Sequence, residues 1–333
     1  MNLKQKLTCL VDMNRQIYSV RRDGTDRDFI FDILSFSKSA EVQNGPDVIF
    51  ERRGNRVHMK LSNFPHYYGQ FVQIRYHVST IAYYLLKSDP SIKTLTVNCS
   101  DGESPSDARF AFSSFNPQTI LLPDPHFYLN RGYKSLDIMA ASGPAWHDRT
   151  DDIIWRGATT GIGHISIDES VADNPVVLQR LRLAYLAKGS EVDFKFVKMD
   201  INAQHFELMK KEGLTGEFVK QNSWLNRKYA IDVDGMTNTW GNFIIRLKLG
   251  CCVLKVDSVL GFRQWYYDRI VPWEHYVPVK ADLSDFFEKV EWVKTNQDKA
   301  AEIAMNGQAF ARTLTFESAR SEALELIETN WDR

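Results

Sequence analysis

Apolar residues recur at two spacings along this chain, and the switch between them outlines its elements. Short apolar and β-branched runs at 47–50 and 57–61 flank the turn Arg53-Gly54-Asn55 and predict a pair of strands. Phe71, Ile74, Val78, Ile81, Ala82 and Leu85 then repeat at helical spacing, with Pro90 standing just past the end. Residues 93–98 (KTLTVN) read as a strand that opens into the polar loop 99–105. Two further apolar runs, 109–112 and 119–122, end at Pro123-Asp124-Pro125. The first forty residues are irregular and moderately charged, which predicts only a partly helical lead-in.

A second series begins near Asp151. Residues 152–156 (DIIWR) predict a strand followed by a glycine-bearing loop, 157–163. Asn174-Pro175 suits an N-cap and first helical position for a helix over 176–187, which Gly189 would end. Strands are expected at 192–197, 228–233, 251–256 and 275–279, with a helix over 242–249 that stops at Gly250. Helices over 284–294, 299–311 and 317–328 close the chain. Strands alternating with helices imply a mostly parallel α/β sheet, and two such series imply two Rossmann-like domains. In open sheets of this kind ligands sit at the carboxyl ends of strands, where the loops 99–105, 157–163, 234–241 and 257–262 all fall.

A length of 333 residues suits two domains, and 44% apolar with 25% charged residues is a globular balance. The net charge of −1 lacks the basic excess of a nucleic-acid binder. Cys9, Cys99, Cys251 and Cys252 show no metal-ligand spacing, so neither structural zinc nor a disulfide framework is expected. No run of 18 apolar residues occurs and the first residues are too polar for a signal peptide. The expected location is therefore cytoplasmic, with contact at the inner face of the membrane left open.

Candidate chemistry gathers in the strand-end loops. Arg156, Gly157, Ala158, Thr159 and Thr160 form a loop of small and hydroxyl residues that can aim amides and hydroxyls at a phosphate, although a glycine turn without a ligand looks the same. It is neither a GxGxxG nor a Walker A loop, and the absence of the former argues against an NAD-type dehydrogenase. Asp234, Gly235, Thr237, Asn238, Thr239 and Trp240 precede a helix whose first amides favour an anion. Asp232 and Asp234 share one strand face and resemble a metal-binding DxD, or simply end a strand. Asp101 stands after a strand, where a carboxylate can take a proton from a hydroxyl or merely form a turn before Gly102. His126, Tyr128 and Trp146 can stack on sugar faces, or pack a core. Arg182, Arg246, Lys255, Arg263 and Arg269 are the other cations within reach of these loops.

Together the blocks WRGATTG (155–161), LQRLRLAYLA (178–187), KYAIDVDGMTNTW (228–240), LGCCVLKV (249–256), the long run 264–296 and IAMNGQAFA (303–311) resemble glycosyltransferase family 90. That family holds protein O-glucosyltransferases, fungal capsule xylosyltransferases and bacterial lipopolysaccharide-modifying enzymes, and the TNTW loop is similar to its bacterial members. The resemblance runs from about residue 93 to 315. It implies a GT-B architecture, with two Rossmann-like domains facing across a cleft: residues 1–145 bind the acceptor and 146–315 bind a UDP-sugar. Residues 316–333 form a C-terminal helix expected to pack back on the first domain.

The resemblance further implies an inverting transfer of a hexose or pentose to a glycan hydroxyl, such as a lipopolysaccharide core or other surface polysaccharide. No metal or other cofactor is implied. Asp101 becomes the expected general base, because Val97-Asn98 before it falls in the family's register. Two departures stand out. Ser100 occupies a position where the family often has Arg, and Asn242 stands where animal members carry a diphosphate-binding Arg. Arg246, one turn onward, is the expected replacement and Arg156 the second charge partner. These departures keep a second reading open, a protein of the same fold that binds nucleotide or carbohydrate without catalysis.

Overall fold

A computed structural model describes residues 3–42, 45–62, 68–197 and 203–331. In chain order the elements begin with α1 (Leu3–Arg22), β1 (Leu34–Lys38), β2 (Asp47–Arg53), β3 (Arg56–Leu61), α2 (Tyr68–Lys87) and β4 (Thr94–Asn98). Next come β5 (Phe110–Ala111), β6 (Ile120–Leu121), α3 (Pro125–Leu129), α4 (Lys134–Ala141), β7 (Ile154–Gly157), α5 (Gln179–Leu186) and β8 (Asp193–Phe196). The chain continues with α6 (Ala203–Lys211), β9 (Tyr229–Asp232), α7 (Gly241–Lys248), β10 (Cys252–Val256) and β11 (Val277–Val279). It closes with α8 (Phe286–Thr295), α9 (Gln297–Thr313) and α10 (Phe316–Asn330). Two compact α/β units result, one of residues 1–133, 263–267 and 314–333, the other of 134–262 and 268–313. The division thus falls earlier than position 145, because α4 joins the second unit, where Lys248 Nζ meets Asp137 at 2.9 Å.

In the first unit six strands run in the order β1-β3-β2-β4-β5-β6. The β2–β3 hairpin turns at Gly54, whose φ of 63° lies in the left-handed region that glycine adopts without strain. β2 is antiparallel to β4 as well, while β4, β5 and β6 are parallel, so this sheet is mixed. The side chains at 71 and 74 lie outside those described; further along α2, Val78, Ile81, Ala82 and Leu85 are buried as their spacing requires. Arg52 satisfies the end of α2 by donating to the carbonyls of Leu85, Leu86 and Ser88 at 2.9–3.1 Å. The lead-in is more regular than its composition suggested. α1 buries Cys9, Met13, Ile17 and Val20 along one stripe, and Gly24 ends it with a φ of 80°. Each large apolar side chain so buried contributes roughly 1.5–3 kcal/mol.

The second unit has the parallel order β11-β10-β9 beside the parallel pair β7-β8, with a parallel bridge between Thr150 and Arg227 at their feet. β9 and β10 are buried along their whole lengths, as expected of strands covered on both faces. α5 begins at Gln179 and not at 176. Val176 accepts from the His164 amide at 2.7 Å and Leu178 donates to the His164 carbonyl at 2.9 Å, so these residues are held extended until that pairing ends. Asn174 caps this turn instead, its Oδ1 accepting from the Val176 amide. α6 had no counterpart among the expected elements.

Candidate functional site

Within the second unit, the loops after β7 and β9 are tied together by one buried side chain. Arg180, in the first turn of α5, donates from Nη1 to the Ala158 carbonyl (3.1 Å) and Thr160 Oγ1 (2.9 Å). Its Nε and Nη2 donate to the Val233 carbonyl at 3.3 and 2.9 Å. Burial pulls this guanidinium down to about 10, still far above neutrality, so a full positive charge lies beneath both loops. Arg182, one of the cations expected near these loops, instead reaches the Asp282 carbonyl with Nη2 at 3.1 Å. The overlooked signal is phase: Arg180 shares its helix face with Leu183, Ala184 and Ala187, all buried, and an Arg on an apolar face must find partners inside.

The loop itself has little room. A Cβ on Gly157 would lie 2.3 Å from the Trp155 ring, which stacks on Phe194 with centroids 4.1 Å apart. At Gly163, φ is 116° and a Cβ would come within 2.8 Å of the Leu178 amide nitrogen and 2.9 Å of the Val176 carbonyl. Gly163→Ala should therefore cost about 1–3 kcal/mol and weaken ligand binding at the loop, read by thermal melting with and without UDP. An unchanged melting temperature would show that the loop is not so constrained.

Arg156 was expected at the phosphate. The structure commits its guanidinium elsewhere: Nη2 pairs with Asp193, Nη1 donates to the Asp193 carbonyl at 2.8 Å, and Nε to that of Glu217 at 3.1 Å. Ala158, Thr159 and Thr160 remain at least partly exposed.

Asp232 and Asp234 are both buried, and the parallel register sets Lys255 of β10 opposite Asp232. Lys255 Nζ lies 3.1 Å from Asp232 Oδ2 and 2.6 Å from Asp234 Oδ1. The two carboxylates hold this ammonium well above the usual lysine range, in spite of burial. The place a cation would take in a DxD site is thus filled by a side chain. Among the described residues no group of three or more His, Cys, Asp or Glu is arranged to hold a metal ion. Asp232 also accepts from Thr239 Oγ1 at 3.1 Å. Burial, and then the charge of Asp232, raise Asp234 above the usual carboxylate range while Lys255 opposes them. Asp234 Oδ2 is buried, and the Ser258 side chain lends this carboxylate a hydrogen bond that opposes the rise.

Asp234 is also one of the residues lining a pocket at the carboxyl ends of β9 and β10. Gly161 and Ile162 of the β7 loop, Gln179, the turn Asp234–Thr237 and the loop Ser258–Leu260 line it. The Gly235 amide donates to the Asn238 carbonyl at 3.2 Å, and Asn238 Oδ1 accepts from the Trp240 amide at 2.5 Å. This second bond holds Trp240 at a φ of 52°, the left-handed region, immediately before α7. Asn238 and Thr239 therefore spend part of their polarity on shaping the turn. Asn242 is exposed in the first turn of α7. Arg246, one turn on, is buried; its guanidinium stacks over the Trp224 ring 3.6 Å from the centroid, and Nη1 has no hydrogen-bond partner.

In the first unit, β4 delivers Asp101 through a turn that Ser100 builds. Asn98 Oδ1 accepts from the Ser100 amide and hydroxyl, both at 2.8 Å, and Ser100 Oγ accepts from the Gly102 amide at 2.9 Å. Gly102 has a φ of 102°, and a Cβ there would lie 2.4 Å from the Ser113 carbonyl oxygen. His77 donates from Nδ1 to the Cys99 carbonyl at 2.9 Å and is kept neutral, near 3, chiefly by burial. Burial, helped by the charge of Glu103, lifts Asp101 to about 6. A carboxyl with that value is ionised at neutral pH yet basic enough to take a proton.

The aromatic candidates separate. Tyr128 is interior, 1% exposed and packed among Tyr83, Tyr84 and Phe316, so it has no face to offer a sugar. Trp146 is half-buried with its edge against Tyr229, and His126 is half-buried near Tyr76.

Comparison with known proteins adds to this geometry. Residues 172–326 match the family model described as glycosyl transferase family 90, a span that includes Arg180, the 234–239 turn and Lys255 but not Asp101 or the β7 loop. Protein O-glucosyltransferase 2 of Danio rerio is 30% identical over 188 residues, 55% of this chain and 33% of that protein. Protein O-glucosyltransferase 3 of Homo sapiens is 30% identical over 179 residues, 54% of this chain and 31% of that protein. The match thus spans about a third of the length of these curated relatives. The solved structure of Anabaena HepE in complex with UDP and glucose aligns with a TM-score of 0.36 and 10% identity, over 60% of this chain and 52% of that one. Over residues 172–326 this chain is similar to glycosyl transferase family 90.

Proposed function

We propose that the protein transfers a sugar from a UDP-sugar to a hydroxyl of a glycan acceptor, with inversion at the anomeric carbon. The observation that carries this reading is the pocket at the carboxyl ends of β9 and β10, lined by the Asp234–Thr237 turn that falls within the span matching the family model. The exposed apolar side chains of Ile162, Met236, Val259 and Leu260 at the rim suit the face of a nucleobase. The family match over the same turns supports a nucleotide-sugar there.

In this proposal the diphosphate rests against Gly157–Thr160 and the first turn of α7, with Arg180 as the charge beneath it and Arg246 as a second cation within α7. The acceptor oxygen attacks the anomeric carbon from the face opposite UDP. Its proton passes to the Asp101 carboxylate, and the bond to the departing UDP breaks with its electron pair leaving on the phosphate oxygen. Cations and amides near that oxygen lower the barrier by taking up the charge. The acceptor class follows the bacterial members that the chain resembles, a surface polysaccharide or lipopolysaccharide core.

Binding of UDP measured by calorimetry, together with UDP release from UDP-glucose, UDP-xylose and UDP-galactose, tests this directly. UDP should bind and NAD should not. Because the Lys255 ammonium already occupies the place between Asp232 and Asp234, EDTA should change UDP release by less than about twofold. Failure of every UDP compound to bind, or loss of release on chelation that magnesium restores, would refute the corresponding part.

A further inference from the structure

We propose that the outer face of α1 docks the first unit on an anionic lipid surface. The helix has two faces of different character. Cys9, Met13, Ile17 and Val20 turn inward. On the opposite side Leu7, Val11 and Tyr18 are 54%, 50% and 42% exposed, more than ordinary packing leaves to large side chains on a single helix. At 100° per residue these three fall within about 40° of one another and span roughly 16 Å of helix. Lys4, Arg15 and Arg22 run alongside within about 20° of each other, and Arg21 borders the other edge; all four are exposed. The one acid of the helix, Asp12, stands at the edge of this surface, beside Arg15, and Arg75 pairs with it at 2.8 Å.

An apolar stripe bordered by cations is the pattern of a helix lying in a bilayer interface, apolar residues at the acyl boundary and basic ones at the headgroups. The excess is local, since the whole chain carries a net charge of −1. Charge also argues against the alternatives. A two-fold pairing of this face with a second copy would bring the row Lys4, Arg15, Arg22 against another such row. A polyanion such as nucleic acid would use the cations and leave Leu7, Val11 and Tyr18 in water. The proposal does not rest on the transferase reading, because lipid binding requires no sugar donor.

Co-sedimentation of the full chain with vesicles tests it. The protein should pellet with phosphatidylcholine vesicles that contain phosphatidylglycerol, not with pure phosphatidylcholine, and raising salt from about 0.1 to 0.5 M should release it. Arg15→Glu with Arg22→Glu should weaken binding at least about 25-fold, at roughly fivefold for each charge removed. Leu7→Ser with Val11→Ser should weaken it about tenfold or more at the same charge. These side chains are exposed, so both double variants should melt as wild type does and bind UDP equally. Equal binding to neutral vesicles, no binding to anionic ones, or double variants that bind undiminished would overturn the proposal. So would a concentration-dependent dimer that the same substitutions dissolve without any binding to vesicles.

Discussion

Replacing Asp101 with Asn is expected to lower sugar transfer about a thousandfold, within the 10²–10⁴ range of a lost general base, while UDP binding stays within about twofold. The same substitution should stabilise the protein at pH 7.5. Asp101 titrates near 6 in the folded chain against an ordinary value of 3.8, so folding favours its protonated form. The stability linked to that proton is complete below about pH 4 and is lost as the pH rises through 6. Asn cannot ionise and avoids that loss, an expected gain of about 3 kcal/mol at most, seen as a higher melting temperature. A residue needed only for structure would move stability the other way. In the wild-type enzyme kcat/KM should be flat above pH 6 and fall tenfold per unit below it, because only the ionised carboxylate accepts the proton. Substantial turnover by the Asn variant, or an acid limb that persists in it, would remove Asp101 from the role.

The other large effect is expected at Lys255. Its ammonium lies between two carboxylates in the interior of the second unit, and Lys255→Met leaves their charge uncompensated. Breaking a buried ion pair by removing one partner costs about 3–5 kcal/mol, so the variant should unfold at much lower denaturant and bind UDP poorly. The loss should shrink in acid. Asp234, already raised by burial, would rise further without the cation, and its protonated form needs no partner, so stability would return as the pH falls through that value. Adding Asp232→Asn and Asp234→Asn to Lys255→Met should recover part of the folding stability, since no carboxylate is then left without its ammonium while Arg180 loses two charges that favour it, without restoring UDP binding. A loss below about 1 kcal/mol for Lys255→Met would mean that the carboxylates reach solvent or another cation.

Much of the chain announced its own elements. From β4 onward the apolar runs are short, the helical stripes are regular, and glycine or proline stands near the ends, so residues 94–98, 229–232, 241–248 and 252–256 fold nearly where periodicity placed them. α1 was harder to read. Leu7, Val11 and Tyr18 scatter apolar residues onto the face opposite Cys9, Met13, Ile17 and Val20, which blurs the single stripe that marks a helix. At 176–178 the Asn-Pro signal was sound as a turn but not as a helix start, because pairing with His164 competes for the same backbone groups.

Local pattern therefore determined the alternation of strands and helices, the turns at Gly54 and Gly235, and the loops that carry polar chemistry. Those features depend on backbone preference and on burial of neighbouring residues, both of which act over a few positions. Partner choice among charged side chains depended on tertiary structure. Helix phase turned Arg180 inward and left Arg182 at the edge; the parallel register of β9 and β10 set Lys255 against Asp232; Asp193 and the Glu217 carbonyl claimed Arg156. Tyr128 went to the interior for the same reason, since its neighbours there come from α2 and α10. Each of these contacts joins residues far apart in the chain, and a charge takes whichever partner the fold brings within about 3 Å.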